Sequence, residues 1–237
     1  ANEVRVKVRY VGAAFTDLMI LQGKYPGVKA KPPFTLGYDM VGVVDEVGEN
    51  VKDLKPGQRV AAMTVIGAGK GYLCLPAKMV TPVPEEVDGP TAVSLILPYV
   101  TAYQLLYRMA KIKSGQSVLI HGAAGAVGTA VIQLCRIVGG VSVYGTASLS
   151  KHATVSALGA EPIDYRSRDF VTVLQQKTDG GVDVVLDGIG GRTLIRSFRC
   201  LRPGGNLVSY GFYDAMMGKG GNVLADFMKL ALWATLP

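Results

Sequence analysis

A chain of 237 residues with 49% hydrophobic and 18% charged content can fill one large globular domain or two ordinary ones, which excludes a disordered segment. Its 25 Lys and Arg against 18 Asp and Glu give a formal charge of +7, but the cations are dispersed, so a phosphate-bearing small ligand suits the balance as well as a polyanion does. Three cysteines, Cys74, Cys135 and Cys200, stand far apart with no C-x-x-C pair, which excludes a zinc knuckle or a disulfide framework and points to a reducing, cytoplasmic compartment.

The chain opens, without Met, on "VRVKVRYVG", where Val4, Val6, Val8 and Tyr10 alternate with charges and predict a strand with one buried and one wet face. "MVGVVDEVG", "QRVAAMTVIG" and "YLCLPAKMVTPVP" follow as further short strands bounded by Gly, Pro or Asp, the pattern of a barrel or sandwich-like domain. Between them "GAGKG", Gly67 to Gly71, lacks both the leading glycine and the Ser or Thr of a phosphate loop and is read as a hairpin or loop.

After "PEEVDGP" the period changes: Asp88 is a candidate N-cap, Pro90 falls in a first turn, and Ala92 to Ala110 is helical in character with a break at Pro98. From Ser117 onward the apolar runs "SVLI", "VSVYG", "VDVVLD" and "NLVSYG" alternate with helices, as when both faces of a parallel sheet are covered. The first of these helices carries Val127, Ala130, Val131, Leu134, Cys135 and Val138 at helical spacing. A doubly wound α/β domain is therefore expected from residue 95 onward, after a β-rich domain over 1–94. Near the end, Leu224 to Leu236 reads as an amphipathic helix, interrupted by Asp226 and Lys229 and shorter than the roughly 18 to 20 apolar residues a bilayer requires, so no transmembrane segment is expected. The start on a strand and the stop just after this helix suggest that both ends of a longer protein lie beyond the chain.

"SVLIHGAAGAVGTAVIQLCRIVGG" sets Gly122, Gly125 and Gly128 between an apolar strand ending at Ile120 and a helix starting near Ala126. Small residues there let backbone approach a pyrophosphate, the helix N-terminus offers unpaired N–H groups to that anion, and Gly128 permits close helix-to-strand packing. Such glycines also occur where a helix merely crosses a strand, but the following βα units favour a dinucleotide. An NAD site places an acid at the end of the second strand, whereas "VYGTASLSKH" has none between Tyr144 and His152. Ser148, Ser150 and Lys151 stand there instead, and Lys151 suits a 2′-phosphate, so NADP(H) is favoured over the alternative of a solvated lysine.

With "IDYRSRDF", "VDVVLDGIGG" and "CLRPGGNLVSYG" in order, the chain resembles the zinc-independent quinone oxidoreductases of the medium-chain dehydrogenase/reductase superfamily, the zeta-crystallin-like group. "VYGTASLSKH" and "PIDY" resemble in particular the branch with vesicle amine transport protein-like members. The resemblance implies an incomplete GroES-like catalytic domain followed by a Rossmann domain that binds NADPH in the cleft between them. It also implies that the family's first strand and its C-terminal return to the catalytic domain have no counterpart here. The cofactor contacts it implies are Thr101, Ala124, Gly125, Ala126, Val127, Gly145, Thr146, Lys151, Tyr165, Gly188, Ile189, Tyr210 and Gly211. Among these, Lys151 and Tyr165 match positions at the 2′-phosphate, and Thr101, Tyr210 and Gly211 match positions near the nicotinamide.

Zinc-dependent relatives would need Cys and His ligands where this chain reads Phe15-Thr16-Asp17 and Gly37-Tyr38-Asp39, so no metal site is expected. The implied activity is hydride donation from NADPH to a quinone or an α,β-unsaturated carbonyl, with the protein orienting and desolvating the pair. The candidate catalytic residues are Asp17 and Tyr25; Asp17 alternatively caps the helix it begins. Where the group carries Asn before Phe, this chain has Ala14, so one polar acceptor contact is missing. The alternatives are a catalytically weak NADPH-binding protein acting through protein or RNA partners, or an enoyl reductase on acyl chains. His121 and His152 have no acid in sequence reach and are read as structural. Arg192, Arg196 and Arg199 form a stripe read as a solvated face, with RNA contact as the alternative because some zeta-crystallin relatives bind RNA. Relatives commonly pair through a Rossmann edge strand, which implies a homodimer.

Overall fold

The computed structural model describes residues 1–25 and 27–216, so the helix expected over Leu224 to Leu236 lies outside the described residues. The chain divides into two compact units, Ala1–Val100 and Thr101–Pro237.

In the first unit, strands β1 (Glu3–Val11), β2 (Asp39–Val47), β3 (Arg59–Met63), β4 (Tyr72–Pro76) and β5 (Val80–Pro82) form one antiparallel sheet in the order β4-β1-β2-β3-β5. The alternation read in "VRVKVRYVG" decides which face is inside: Val4 and Val6 are buried against Met40, Val44, Val60 and Leu75. Each such side chain, fully buried, contributes about 1.5–3 kcal/mol. "YLCLPAKMVTPVP" is two strands, because a 3₁₀ turn at Ala77–Met79 separates β4 from β5 and sends them to opposite edges of the sheet. Gly67 to Gly71 is a loop, held by Gly67 N–H and Gly69 N–H donating to Thr35 O and Leu36 O.

Helix α1 (Phe15–Leu21) follows β1. Helix α2 (Gly89–Ser94) is capped by Asp88, which accepts from Thr91 N–H at 2.9 Å and from the Thr91 hydroxyl at 2.7 Å; these bonds hold its carboxyl below the ordinary range. The expected break at Pro98 falls earlier. Leu95 and Ile96 interrupt the helix, and Pro98 sits in the first turn of α3 (Leu97–Tyr103), where a missing N–H costs nothing. A π-helical segment, Gln104–Met109, continues from α3.

The second unit alternates β6 (Ser117–His121), α4 (Ala126–Val138), β7 (Ser142–Ala147), α5 (His152–Leu158), β8 (Glu161–Asp164), α6 (Phe170–Lys177), β9 (Val182–Asp187), α7 (Gly191–Phe198) and β10 (Leu201–Ser209), with a short α8 (Tyr213–Met216). All five strands are parallel, in the order β10-β9-β6-β7-β8. All six residues of β9 are buried, as a strand covered on both faces requires. The chain leaves β6 toward β7 on one side and later places β9 on the other, so the order reverses between β6 and β9. In open α/β sheets that reversal, at the carboxyl ends of the strands, is where ligands bind.

Asp169 caps α6, accepting from Val171 N–H at 2.8 Å and Thr172 N–H at 3.4 Å. Asp169→Ala is expected to lower stability by about 1 kcal/mol in urea unfolding, the ordinary loss of an N-cap; an unchanged midpoint would show that the helix is held by packing alone.

Candidate functional site

The turn after β6 is shaped by backbone. Gly122 adopts φ +69°, which L side chains rarely enter, and its N–H reaches Thr146 Oγ1 at 3.3 Å. Ala123 N–H donates to Thr146 O and Gly125 N–H to Gly122 O, closing the turn. Gly125 is the N-cap of α4 and no side chain caps it, so the first-turn amides, those of Ala126 and Val127 among them, keep their donors for a ligand or water. Gly128 lies so close beneath the turn that a Cβ there would sit 2.5 Å from Gly122 O and 2.6 Å from Ala123 Cα. A diphosphate fits this cradle: exposed small residues, bare donors and the positive end of a thirteen-residue helix.

The other expected cofactor contacts, Thr101 apart, lie at or just after the carboxyl ends of the parallel strands, with differences. Ala124 and Val127 are half-buried on the turn, and Gly125 and Ala126 are exposed. Gly145 and Thr146 are buried in β7 beneath the turn, Gly145 against Ala123 and Thr146 Oγ1 accepting Gly122 N–H. Lys151 closes a 3₁₀ turn after β7 and is exposed; Tyr165 follows β8, half exposed, with the Arg166 guanidinium 5.8 Å from its ring centre. β7 and β8 end side by side, Ala147 beside Asp164. Gly188 and Ile189 follow β9, where Tyr210 stacks so closely that a Cβ on Gly188 would meet its ring at 2.8 Å. Tyr210 N–H donates to Asp187 O, and Gly211 packs on Gly188 O. Burial raises the Tyr210 hydroxyl above its ordinary value, and Asp187 adds to the shift, so it stays protonated at neutral pH. Ser209 Oγ, at the end of β10, is buried and has no hydrogen-bond partner among the described residues. Thr101 stands in α3.

The candidate catalytic residues lie in the first unit. Asp17 is committed to backbone: Oδ2 accepts from Ala14 N–H at 2.9 Å and Oδ1 from Gly37 N–H at 3.2 Å, so it caps α1 and ties the Gly37 loop to it. The Tyr25 and Tyr38 hydroxyls lie 2.7 Å apart, their rings edge to face. Burial raises the Tyr38 hydroxyl well above its ordinary value, and the bond to Tyr25 adds to this. Beside it Asp39 is buried and accepts from Leu97 N–H at 3.1 Å; burial lifts its carboxyl, partly offset by that bond.

The basic stripe is not a solvated face throughout. Arg196 lies 3.3 Å from Asp169 and 4.3 Å above the Phe170 ring, which leaves less of the stripe for RNA. Spacing alone could not reveal this, since α6 supplies both partners.

The sequence reading also missed a buried chain. His121, 4% exposed, meets Thr146 Oγ1 at 3.0 Å and Ser197 Oγ at 2.9 Å, and Ser197 donates to Asp187 at 2.6 Å. The acid is distant in sequence, but parallel pairing of β6 with β9 brings the two strand ends together. The available signal was that "SVLIH" and "VDVVLD" each end an apolar run on a polar residue.

Cys135 and Cys200 are buried thiols pushed up to about 12 by burial, inert at neutral pH, while Cys74 is exposed. Among the described residues no three His, Cys, Asp or Glu side chains group to hold a metal, and no helix is long and apolar enough to cross a membrane.

Residues 1–85 match the family described as the alcohol dehydrogenase GroES-like domain, and residues 126–232 the family described as zinc-binding dehydrogenase. The zebrafish (Danio rerio) synaptic vesicle membrane protein VAT-1 homolog is 38% identical over 226 residues, 95% of this chain and 46% of that protein. The chain thus spans about half the length of the curated relatives it matches. The crystal structure of a Pseudomonas syringae quinone oxidoreductase superposes with a TM-score of 0.85 at 32% identity, covering 96% of this chain and 70% of that one. Escherichia coli quinone oxidoreductase, solved in complex with NADPH, gives 0.83 at 32% identity over 89% of this chain and 65% of that one. GroES-like and Rossmann-type units in this order, with these relatives, mean that the chain belongs to the medium-chain dehydrogenase/reductase superfamily, among the zinc-independent quinone oxidoreductase-like proteins near the VAT-1 branch.

Proposed function

We propose that the chain belongs to a cytosolic, metal-independent oxidoreductase that uses NADPH to reduce a quinone or an α,β-unsaturated carbonyl. The observation that carries the cofactor half is the uncapped start of α4 above the Gly122–Gly128 turn, supported by a related quinone oxidoreductase that was solved in complex with NADPH. When bound, the reduced nicotinamide supplies the hydride. The α4 amides would hold the diphosphate, Lys151 and Tyr165 the adenosine 2′-phosphate, and Thr101, Tyr210 and Gly211 the nicotinamide end. Tyr25 is the residue assigned to the acceptor. With Tyr38 as the donor of the Tyr25–Tyr38 bond, the Tyr25 proton would be available to an oxygen that gains charge as hydride arrives. Asp17 supports this by fixing α1 and the Gly37 loop. Pairing of two copies along an edge strand of the parallel sheet is part of the same reading.

The test is NADPH consumption by the purified, chelator-treated protein across a panel of quinones and enones. Turnover with NADPH and little with NADH is expected. Equal use of NADH would overturn the cofactor assignment. Tight NADPH binding without turnover on any acceptor would favour instead a binding protein acting through partners, a reading supported by Ala14, whose side chain offers no polar atom to an acceptor. Tyr25→Phe should lower kcat about tenfold, as loss of one hydrogen bond to a charged oxygen does, while the NADPH Kd stays within about twofold. An unchanged kcat would remove Tyr25 from the acceptor site.

A further inference from the structure

His121, Thr146, Ser197 and Asp187 form a hydrogen-bonded chain that has no part in the chemistry above, and all four are buried. Its hydrogens follow from the partners. The Ser197 hydroxyl donates its one proton to Asp187 Oδ2, so Ser197 Oγ must accept from His121 Nε2. This assigns the ring proton to Nε2 and leaves Nδ1 to accept from the Thr146 hydroxyl, whose oxygen in turn accepts Gly122 N–H. At the far end Asp187 Oδ1 takes Ile189 N–H at 2.7 Å and Gly190 N–H at 2.9 Å. Between its two terminal sets of amides the chain has one place for every proton.

Those ends identify what the chain is for. One is the backbone of the turn that would cradle the diphosphate, and the other is the loop after β9, and they flank the point where the strand order reverses. Burying three polar side chains and a carboxylate costs more than burying aliphatic side chains of the same volume, so packing alone does not call for them. A second proton on the ring would turn Nδ1 into a donor and leave the Thr146 hydroxyl proton without its acceptor. Burial opposes that protonation and keeps the imidazole below its ordinary value; Asp187 on β9 works the other way, and Arg196 on α7, which like the imidazole packs on Phe170, adds to the burial effect.

We propose that His121 is a positioning residue, whose neutral Nε2–H form, strung between Thr146 and Ser197, locks the Gly122 turn and the Gly188–Gly190 loop in the one mutual placement that fits a dinucleotide. This rests on the NADPH reading above. Ser197→Ala removes the central oxygen of the chain; Thr146→Val removes the other hydroxyl at nearly constant shape, and Thr146→Ser restores it. In the full chain, shown folded by circular dichroism, the NADPH Kd should rise about tenfold in Ser197→Ala and in Thr146→Val and return to within about twofold of wild type in Thr146→Ser. A long-range ¹H–¹⁵N spectrum has two histidines to assign. It should show His121 with a protonated Nε2 and a bare Nδ1 at neutral pH, and a mixture of tautomers in Ser197→Ala. If Ser197→Ala does not fold, the Thr146 pair and the wild-type spectrum decide. A proton on Nδ1 in the wild type, or a Kd unmoved in the folded variants, overturns the inference. Wild-type protein with no affinity for NADPH defeats the cofactor reading and this inference together, whereas wild-type affinity that survives both substitutions defeats this inference alone.

Discussion

Gly128→Val should abolish measurable NADPH binding and lower stability by about 3 kcal/mol, the upper range for forcing a side chain into a filled space. A Cβ at this position would lie 2.5 Å from Gly122 O and 2.6 Å from both Ala123 Cα and Ala123 O. All three are backbone atoms of the turn and cannot rotate aside, so α4 must lift away. The amides of its first turn would move with it, off the line along which the diphosphate approaches. The branched side chain adds the χ1 restriction of valine in a helix. Urea unfolding and NADPH titration measure the two effects separately, and Gly71→Ala is the control: a Cβ there meets nothing within 4 Å, so stability should stay within about 0.5 kcal/mol of wild type. A Gly128→Val protein that keeps wild-type affinity would show that the turn and α4 need not close on each other.

That glycine was legible in the sequence because its reason is local: a strand, a turn and a helix in immediate succession leave little choice of geometry. The same holds for Val4 and Val6, whose alternation with charges decides the buried face of β1, and for Asp88, whose cap is made three residues away. Legibility ends where the partner comes from another element. Arg196 was read from its own helix as part of a stripe, yet Asp169 and Phe170 on α6 hold it. Asp17 carried two readings, and the Gly37 amide, which approaches from a distant loop, favours the structural one. His121 was read as having no acid in reach; the acid arrives through parallel pairing of β6 and β9, a contact no local spacing encodes. Pro98 was misjudged for a different reason. Proline ends a helix when it falls inside one but is welcome in a first turn, and the interruption at Leu95 and Ile96 that makes Pro98 initial carries no Gly or Pro signal of its own.

Lys151→Ala should raise the Kd for NADPH about tenfold to a hundredfold while leaving that for NADH within about twofold. The range follows from losing a charge-assisted bond to phosphate, taken toward its lower end because Lys151 is exposed and its field is screened. For the same reason the preference for NADPH should shrink as salt is raised in the wild type and hardly respond in the variant. The one carboxylate at the end of the neighbouring strand does not oppose a 2′-phosphate here. Asp164 is turned into its own loop, where the Ser167 hydroxyl at 2.6 Å and the Arg166 N–H at 3.2 Å hold it below the ordinary carboxylate range. By ordering that loop it fixes the segment that carries Tyr165 and Arg166, so under the proposed NADPH reading Asp164 would support the far side of the 2′-phosphate subsite rather than oppose the ligand. If Lys151→Ala leaves the ratio of the two affinities unchanged, the extra phosphate is read from that side, and Arg166→Ala should then produce the loss expected of the lysine.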